Sequence, residues 1–268
     1  MPHTSYFKLE SNKYKKCNTP EEKFDLLSRK LLKNFKLMVG DEKYSIEEVE
    51  VYYYSNDHKD EYVHKNKDQL KNAKWYFHQY GIGVYKSGTY KGLDMTFGND
   101  VDKYGGILIR SIMNINTNEF ITGPCNCVNH MLKKFNLTES GEMVNRLEDL
   151  DIFNTNNTLH LIYEKNEIIP TIFTGPRVGL SLKYPNYLLK EYRYLKQPTK
   201  IPKYRSTIIT TLYKNGETEK TIETKTKLSS KTIKNSIQEF NNGKIMTEVD
   251  AKELGVDKIN LIYGYNSR

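Results

Sequence analysis

Nine consecutive residues, I-E-E-V-E-V-Y-Y-Y from Ile46 to Tyr54, combine the β-branched and aromatic side chains of a strand with three carboxylates that a sheet interior does not readily accept. Strand alternation puts Glu47, Val49, Val51 and Tyr53 on one face and Ile46, Glu48, Glu50, Tyr52 and Tyr54 on the other. The first face suits a core. The second sets carboxylates two residues apart beside aromatic rings, the lining expected of a wet, concave surface that holds a flat polar ligand. A surface-exposed antiparallel strand with ordinary polar decoration accounts for the same residues, so the rest of the chain must decide.

Upstream, Thr19-Pro20-Glu21-Glu22 forms a capping box with proline at the first helical position. Phe24, Leu27, Leu31 and Phe35 follow at helical spacing, which predicts a helix of about four turns. Downstream come a polar loop, Ser55–Lys67, and the aromatic block Trp75-Tyr76-Phe77-His78. Short strands follow, punctuated by Gly81, Gly83, Gly88, Gly92, Gly98, Gly105 and Gly106, among them Gly106-Ile107-Leu108-Ile109-Arg110. Gly123-Pro124 opens a second helix with Val128, Met131, Leu132 and Phe135 as its apolar stripe. Leu159–Tyr163 and Ile168–Phe173 read as strands, and Gln197–Lys203, with two prolines, reads as a linker. The expected architecture is α+β: a compact mixed domain over residues 1–196 with a curved antiparallel sheet flanked by helices, and a basic C-terminal extension over 204–268.

The net charge of +8 is concentrated in one region. Between Lys183 and Lys244 there are 14 Lys and Arg against five Asp and Glu, which leaves the remainder of the chain at −1. A general abundance of lysine would not segregate in this way, and the asymmetry points to a polyanion such as double-stranded DNA. Three cysteines fit a reducing compartment. No run of about 18 apolar residues occurs, and M-P-H-T-S-Y-F-K at the start lacks the apolar stretch of a signal peptide. These features lead us to expect a soluble, intracellular monomer with no membrane partner, nuclear in a eukaryote and cytoplasmic otherwise.

The order of short motifs between about Phe24 and Leu195 resembles the alkylpurine (3-methyladenine) DNA glycosylase family. F-D-L-L-S-R-K-L-L-K-N-F-K-L resembles the helix that leads into the family's catalytic strand, and I-E-E-V-E-V-Y resembles its I-V-E-x-E-A-Y. The resemblance implies that Glu50 is the general base and Tyr52 the ring that stacks on an extruded base. D-E-Y-V-H is similar to D-x-A-x-H, which implies that His64 forms the opposite wall. G-I-L-I-R-S-I is similar to V-L-L-R-A-L, which implies that Arg110 lies beside the catalytic carboxylate. Leu70-Lys71-Asn72, Gly123-Pro124, P-R-V-G-L and K-E-Y-R-Y-L also have counterparts. The block Y-G-M-x-Y-x-x-N, which carries the family's duplex-inserted residue, does not. Tyr85–Asn99 stands in its place, with Tyr90 as the candidate wedge and Lys91 or Phe97 as alternatives. Lys91 also counts as a DNA contact. The loop from Tyr52 to His64 is about three residues longer than the family's.

Chemistry supports the same residues. An enzyme acting on a base in a duplex must extrude it and recover stacking on aromatic or apolar side chains, a role for the ring faces of Tyr52 and His64. Breaking the bond between sugar and base passes through an oxocarbenium-like transition state, which calls for a carboxylate to deprotonate water and oppose the developing charge. Glu50 fits this role, with Glu48 as its rival on the same face. Arg110 would orient Glu50 or hold a phosphate. No cofactor is needed. Cys125-Asn-Cys127-Val-Asn-His130 offers three metal ligands but no nearby fourth, so no metal is expected. His58, in a polar loop, reads as solvated.

The segment Thr221–Phe240 resembles a helix-turn-helix, with Leu228-Ser-Ser at the turn, Ile233, Ile237 and Phe240 facing inward, and Lys231, Lys234 and Asn235 facing DNA. Tyr213-Lys-Asn-Gly-Glu217 is instead a hairpin signal, and a ββα unit fits the same residues. The function expected is a monofunctional glycosylase that removes a damaged purine in base excision repair. A noncatalytic DNA-binding protein on the same scaffold and an enzyme of free nucleosides are the alternatives.

Overall fold

A computed structural model describes residues 3–165 and 170–268. The chain is an α+β protein whose described residues cluster into two compact units, Met1–Pro170 and Thr171–Arg268.

The first unit begins with helix α1, Pro20–Asn34. The Thr19 side chain accepts from Glu22 N as the capping box predicts, but the return bond differs: the Glu22 carboxylate accepts from Asn18 N, one residue before the cap. Phe24, Leu27 and Leu31 are buried along one stripe, while Phe35 already starts a strand. The strands are β1 (Phe35–Val39), β2 (Glu42–Ser55), β3 (His58–Lys59), β4 (Asn72–Phe77), β5 (Gln79–Gly81), β6 (Val84–Tyr85), β7 (Leu93–Phe97), β8 (Tyr104–Asn114) and β9 (Phe120–Thr122). Helices α2 (Pro124–Lys134) and α3 (Ser140–Arg146) precede β10 (Leu159–Tyr163), which matches its sequence prediction residue for residue.

These strands build a large antiparallel sheet in the order β10-β1-β2-β8-β7-β4, with β3 on β2 and β9 on β8, while β5 and β6 form a separate hairpin. The side chains of Val49, Val51, Ile107 and Ile109 are essentially excluded from solvent, as are those of Trp75 and Phe97. Trp75 also donates its indole N–H to Leu159 O at 3.1 Å, which satisfies the one polar atom of the largest core side chain. His58 departs from expectation. Its ring is 4% exposed and lies 5.7 Å from Phe24 and 5.4 Å from Tyr53, because the return of β3 onto β2 folds it under α1.

The second unit holds the hairpin β11 (Phe173–Gly175) and β12 (Arg193–Leu195), helix α4 (Pro185–Leu188) between them, and then α5 (Arg205–Lys214), α6 (Glu219–Thr226), α7 (Ser230–Ile245), α8 (Glu248–Lys252) and α9 (Ile259–Tyr265). The strand expected at Ile168–Phe173 begins outside the described residues, and the observed strand starts at Phe173. Residues 171–196, expected with the first domain, belong to the second unit. The buried Arg193 ties them there by donating to Tyr204 O at 3.1 Å and Lys203 O at 3.0 Å. The ββα alternative fails, since Tyr213–Glu217 links two helices. Thr and Ile usually favour strands, but in α5 Thr207 and Thr210 donate their hydroxyls to Tyr204 O and Thr207 O while Ile208 and Ile209 are fully buried. Helices α7 and α9 cross at Gly243 and Gly264, where a Cβ would stand 2.1 Å from Leu261 O and 1.9 Å from Phe240 O, so only glycine permits the approach.

Candidate functional site

Strands β2 and β8 pair from Tyr44 opposite Asn114 to Tyr54 opposite Tyr104, but the register shifts between Ile46 and Val49. Glu48 and Glu50 are 2% and 0% exposed, so the face expected to be wet is closed over its carboxylates, and Glu47, placed with the core face, is 1% exposed.

Buried carboxylates require partners, and Arg110, itself 7% exposed, supplies one to each of two. Its Nε lies 3.3 Å from Glu48 Oε1 and its Nη1 3.3 Å from Glu50 Oε2. Ser111 Oγ donates to Glu48 Oε2 at 2.6 Å, and Tyr52 donates its hydroxyl to Glu50 Oε2 at 2.9 Å. Burial works against the charged guanidinium, but Glu50 and then Glu48 outweigh it and hold the Arg110 pKa above the ordinary arginine value. Of the two roles expected for Arg110, orienting Glu50 matches this geometry, whereas a buried guanidinium does not present itself to a phosphate. The Tyr52 hydroxyl, expected to be secondary to the ring face, is a direct partner of Glu50. Tyr52 is half-buried, so it links the closed carboxylate to solvent.

The same sheet face continues through register partners Glu50, Leu108, Asp94 and Tyr76. Here lies a second polar group that sequence reasoning missed. The Asp94 carboxylate is 2% exposed, 2.8 Å from His78 Nε2 through Oδ1 and 3.3 Å from the donor Gln69 Nε2 through Oδ2. Gly106, the register partner of Tyr52, makes room for it: a Cβ there would stand 2.4 Å from Asp94 Oδ2. Tyr52 and Asp94 thus flank one glycine.

His64, expected as the wall facing Tyr52, stands over this second group. Its ring is 4.6 Å from that of His78, its Nδ1 is 3.3 Å from the Tyr76 hydroxyl, and its Nε2 is 3.0 Å from Lys86 Nζ. An ammonium only donates, so Nε2 accepts and the imidazole proton is on Nδ1. Desolvation, followed by the charges of His78 and Lys86, lowers the His64 pKa to about 4 and leaves the ring neutral at pH 7. The sequence signal for Asp94, His78 and Lys86 was weak: pairing of β4 with β7 sets Asp94 opposite Tyr76 and beside His78, and the return of the β5–β6 hairpin brings Lys86 N to His78 O.

Tyr90, the candidate wedge, closes a three-residue 3-10 turn and is 68% exposed. Lys91 corrects the expectation of a DNA contact. It is 8% exposed because its ammonium donates to Thr138 O at 2.7 Å and Asn129 Oδ1 at 3.3 Å. Phe97 is also removed as a wedge, since it stacks on Tyr53 in the core at 5.9 Å. Sequence reasoning passed over the β5–β6 hairpin, where Tyr80, Ile82 and Val84 are all more than half exposed. The signal for it was an apolar alternation broken by Gly81 and Gly83.

Cys125, Cys127 and His130 are separately engaged, with Gly88 O, Ile121 O and the Tyr44 hydroxyl respectively. Among the described residues no three His, Cys, Asp or Glu side chains gather to hold a metal, and no helix is long and apolar enough to cross a membrane. A cavity of about 450 Å³ opens away from the polar face, among Lys8, Glu10, Asn72, Asp100 and Lys103. Its Lys103 pairs with Glu10 at 2.9 Å, and Asp100 with Lys71 at 3.8 Å, as expected of a solvated crevice. In the second unit Lys231, Lys234 and Asn235 are exposed on α7, while Ile233, Ile237 and Phe240 are buried, as expected.

No family model matches the chain. It is 36% identical over 200 residues to uncharacterized protein L759 of Acanthamoeba polyphaga mimivirus, an alignment that covers 70% of this chain and 92% of the viral protein.

Proposed function

The chain belongs to the family of the mimivirus protein L759, and we propose that it is a monofunctional DNA glycosylase that extrudes a damaged purine and hydrolyses its N-glycosidic bond. The observation that carries this reading is the Glu50 carboxylate, held between Arg110 Nη1 and the Tyr52 hydroxyl on a sheet face that continues to Asp94 and His64.

A carboxylate fixed by two donors does not have to be reoriented when water is deprotonated, and its charge opposes that of an oxocarbenium-like sugar. Tyr52 covers Glu50 and presents a ring on which an extruded base stacks. Neutral His64 supplies an aromatic surface without adding positive charge beside the base. Tyr90 and the exposed hairpin tip of Tyr80, Ile82 and Val84 are apolar side chains suited to filling the gap left in the stack. Hydrolysis of this kind uses protein groups and water alone. An alkylated or deaminated purine in double-stranded DNA is the substrate class, and base excision repair the setting.

The test is incubation with duplex oligonucleotides carrying hypoxanthine, ethenoadenine or an alkylated purine, followed by alkali to reveal abasic sites. Strand cleavage after alkali, absent without it, is the expected result. Duplex binding with no base release from any of these substrates would favour the second reading, a noncatalytic DNA-binding protein. Complete burial of Glu50 is the observation behind that alternative.

A further inference from the structure

Helices α5, α6 and α7 are built around one small core of Ile209, Ile222, Leu228, Ile233 and Ile237, with Leu212 and Tyr213 packed against it. Only residues 227–229 separate α6 from α7. Lys227 takes a left-handed conformation, φ +59, that stops α6, and Ser229 then caps α7 by accepting from Thr232 N at 3.3 Å. The chain therefore turns sharply between two helices that share a core, and one side of α7 remains in solvent.

That side carries Lys231, Lys234, Asn235 and Gln238, all exposed, at spacings of three, four and seven residues from the first. No acidic residue occurs between Ser230 and Gln238. Of the nearby acids, Glu217 pairs with Lys225 and Glu239 accepts from Asn260 Nδ2 at 2.7 Å, while Glu223 accepts from Ser230 Oγ at 2.7 Å, at the first residue of α7.

From this arrangement we infer that α7 is a recognition helix that reads a defined base sequence in the major groove of double-stranded DNA. Asn235 and Gln238 contact adenine edges, and Lys231 and Lys234 hold the flanking phosphates. A carboxamide offers one donor and one acceptor in the fork that adenine N7 and N6 require, and two of them on adjacent turns face neighbouring base pairs. An acidic protein would be attracted by the lysines but would give the two amides no such complement. Sequence reading goes beyond the glycosylase proposal and does not rest on it. If both hold, base removal is directed to particular sequences instead of being spread evenly over the genome.

The test is selection of the full chain against a library of undamaged random duplexes, with sequencing of the bound fraction. A short enriched motif containing adenine is expected. Asn235→Ala and Gln238→Ala should each erase the preference at one position, worth roughly 5- to 150-fold, while affinity for unrelated duplexes stays within a few-fold. Lys231→Ala should weaken binding to all sequences alike and reduce the slope of log affinity against log salt by about 0.9. Circular dichroism of each variant, expected to match the parent because the positions are exposed, separates lost reading from lost folding. Absence of binding, absence of an enriched motif, or a motif unchanged in both amide variants would overturn the inference. Because the library is undamaged, a failure of base excision leaves this result intact.

Discussion

In the sheet unit Glu48, Glu50 and Arg110 are buried and bonded to one another, whereas in the helical unit the lysines of α7 stand in solvent along one side. Glu48, Glu50 and Arg110 have exposures of 2%, 0% and 7%, and the guanidinium bridges both carboxylates. Lys231 and Lys234 belong to a helix whose stability comes from the opposite stripe of Ile233, Ile237 and Phe240. The difference separates two uses of charge. A buried, oriented charge acts on one bond at one position, and its removal disturbs the fold. An exposed charge acts on a polyanion at a distance, is screened by salt, and can be lost without structural consequence.

The sharpest way to break this comparison is at Glu50. Glu50→Gln keeps the size of the side chain and removes its ability to accept a proton, so base release should fall by about 10²- to 10⁴-fold with duplex binding within a few-fold, measured by alkali-revealed strand cleavage. Retained activity in Glu50→Gln with loss in Glu48→Gln would transfer the role to the neighbouring acid.

Next in size is Arg110→Met set against Lys231→Met. Removing the shared partner of two buried carboxylates should cost about 3–5 kcal/mol of stability, while the surface change should stay within about 0.5 kcal/mol. Chemical denaturation of both variants checks this. Equal effects would mean that the two units do not use charge differently.

Tyr52→Phe sharpens the picture inside the site. Loss of the hydroxyl's hydrogen bond to a charged carboxylate is worth about 1.5 kcal/mol, roughly tenfold in single-turnover rate. Tyr52→Ala should lose a further 5- to 150-fold through stacking. A Tyr52→Phe variant as active as the parent would show that the hydroxyl does not orient Glu50.

The smallest effect expected is at His64. Its folded pKa of about 4 lies below the ordinary value of 6.5, so its contribution to stability is fully present above pH 6.5 and is lost as the pH falls toward 4. His64 is exposed, which should keep the effect under about 1 kcal/mol. His64→Gln should flatten the stability difference from the parent across that window, measured by urea midpoints at matched pH. A difference that grows above pH 6.5 would contradict the neutral tautomer.

By itself the sequence determined the parts whose causes are local. The Thr19 cap with Pro20 starts α1, Gly123-Pro124 starts α2, Leu159–Tyr163 forms a strand, and the inward stripe of α7 follows its helical spacing. Each depends on residues within a few turns of one another, so alternation and capping chemistry suffice to read it. The pairing of Arg110 with Glu50, sixty residues away, was legible only as a resemblance, and its second contact to Glu48 and the burial of all three were not legible at all. The closing of the sheet face decides that, whereas alternation alone leaves Glu48 and Glu50 on a wet face. His58 in the core, Lys91 on a backbone carbonyl and Asp94 beside His78 were likewise decided by tertiary structure. A polar side chain's environment is set by the strands and helices brought against it, and those partners lie far along the chain.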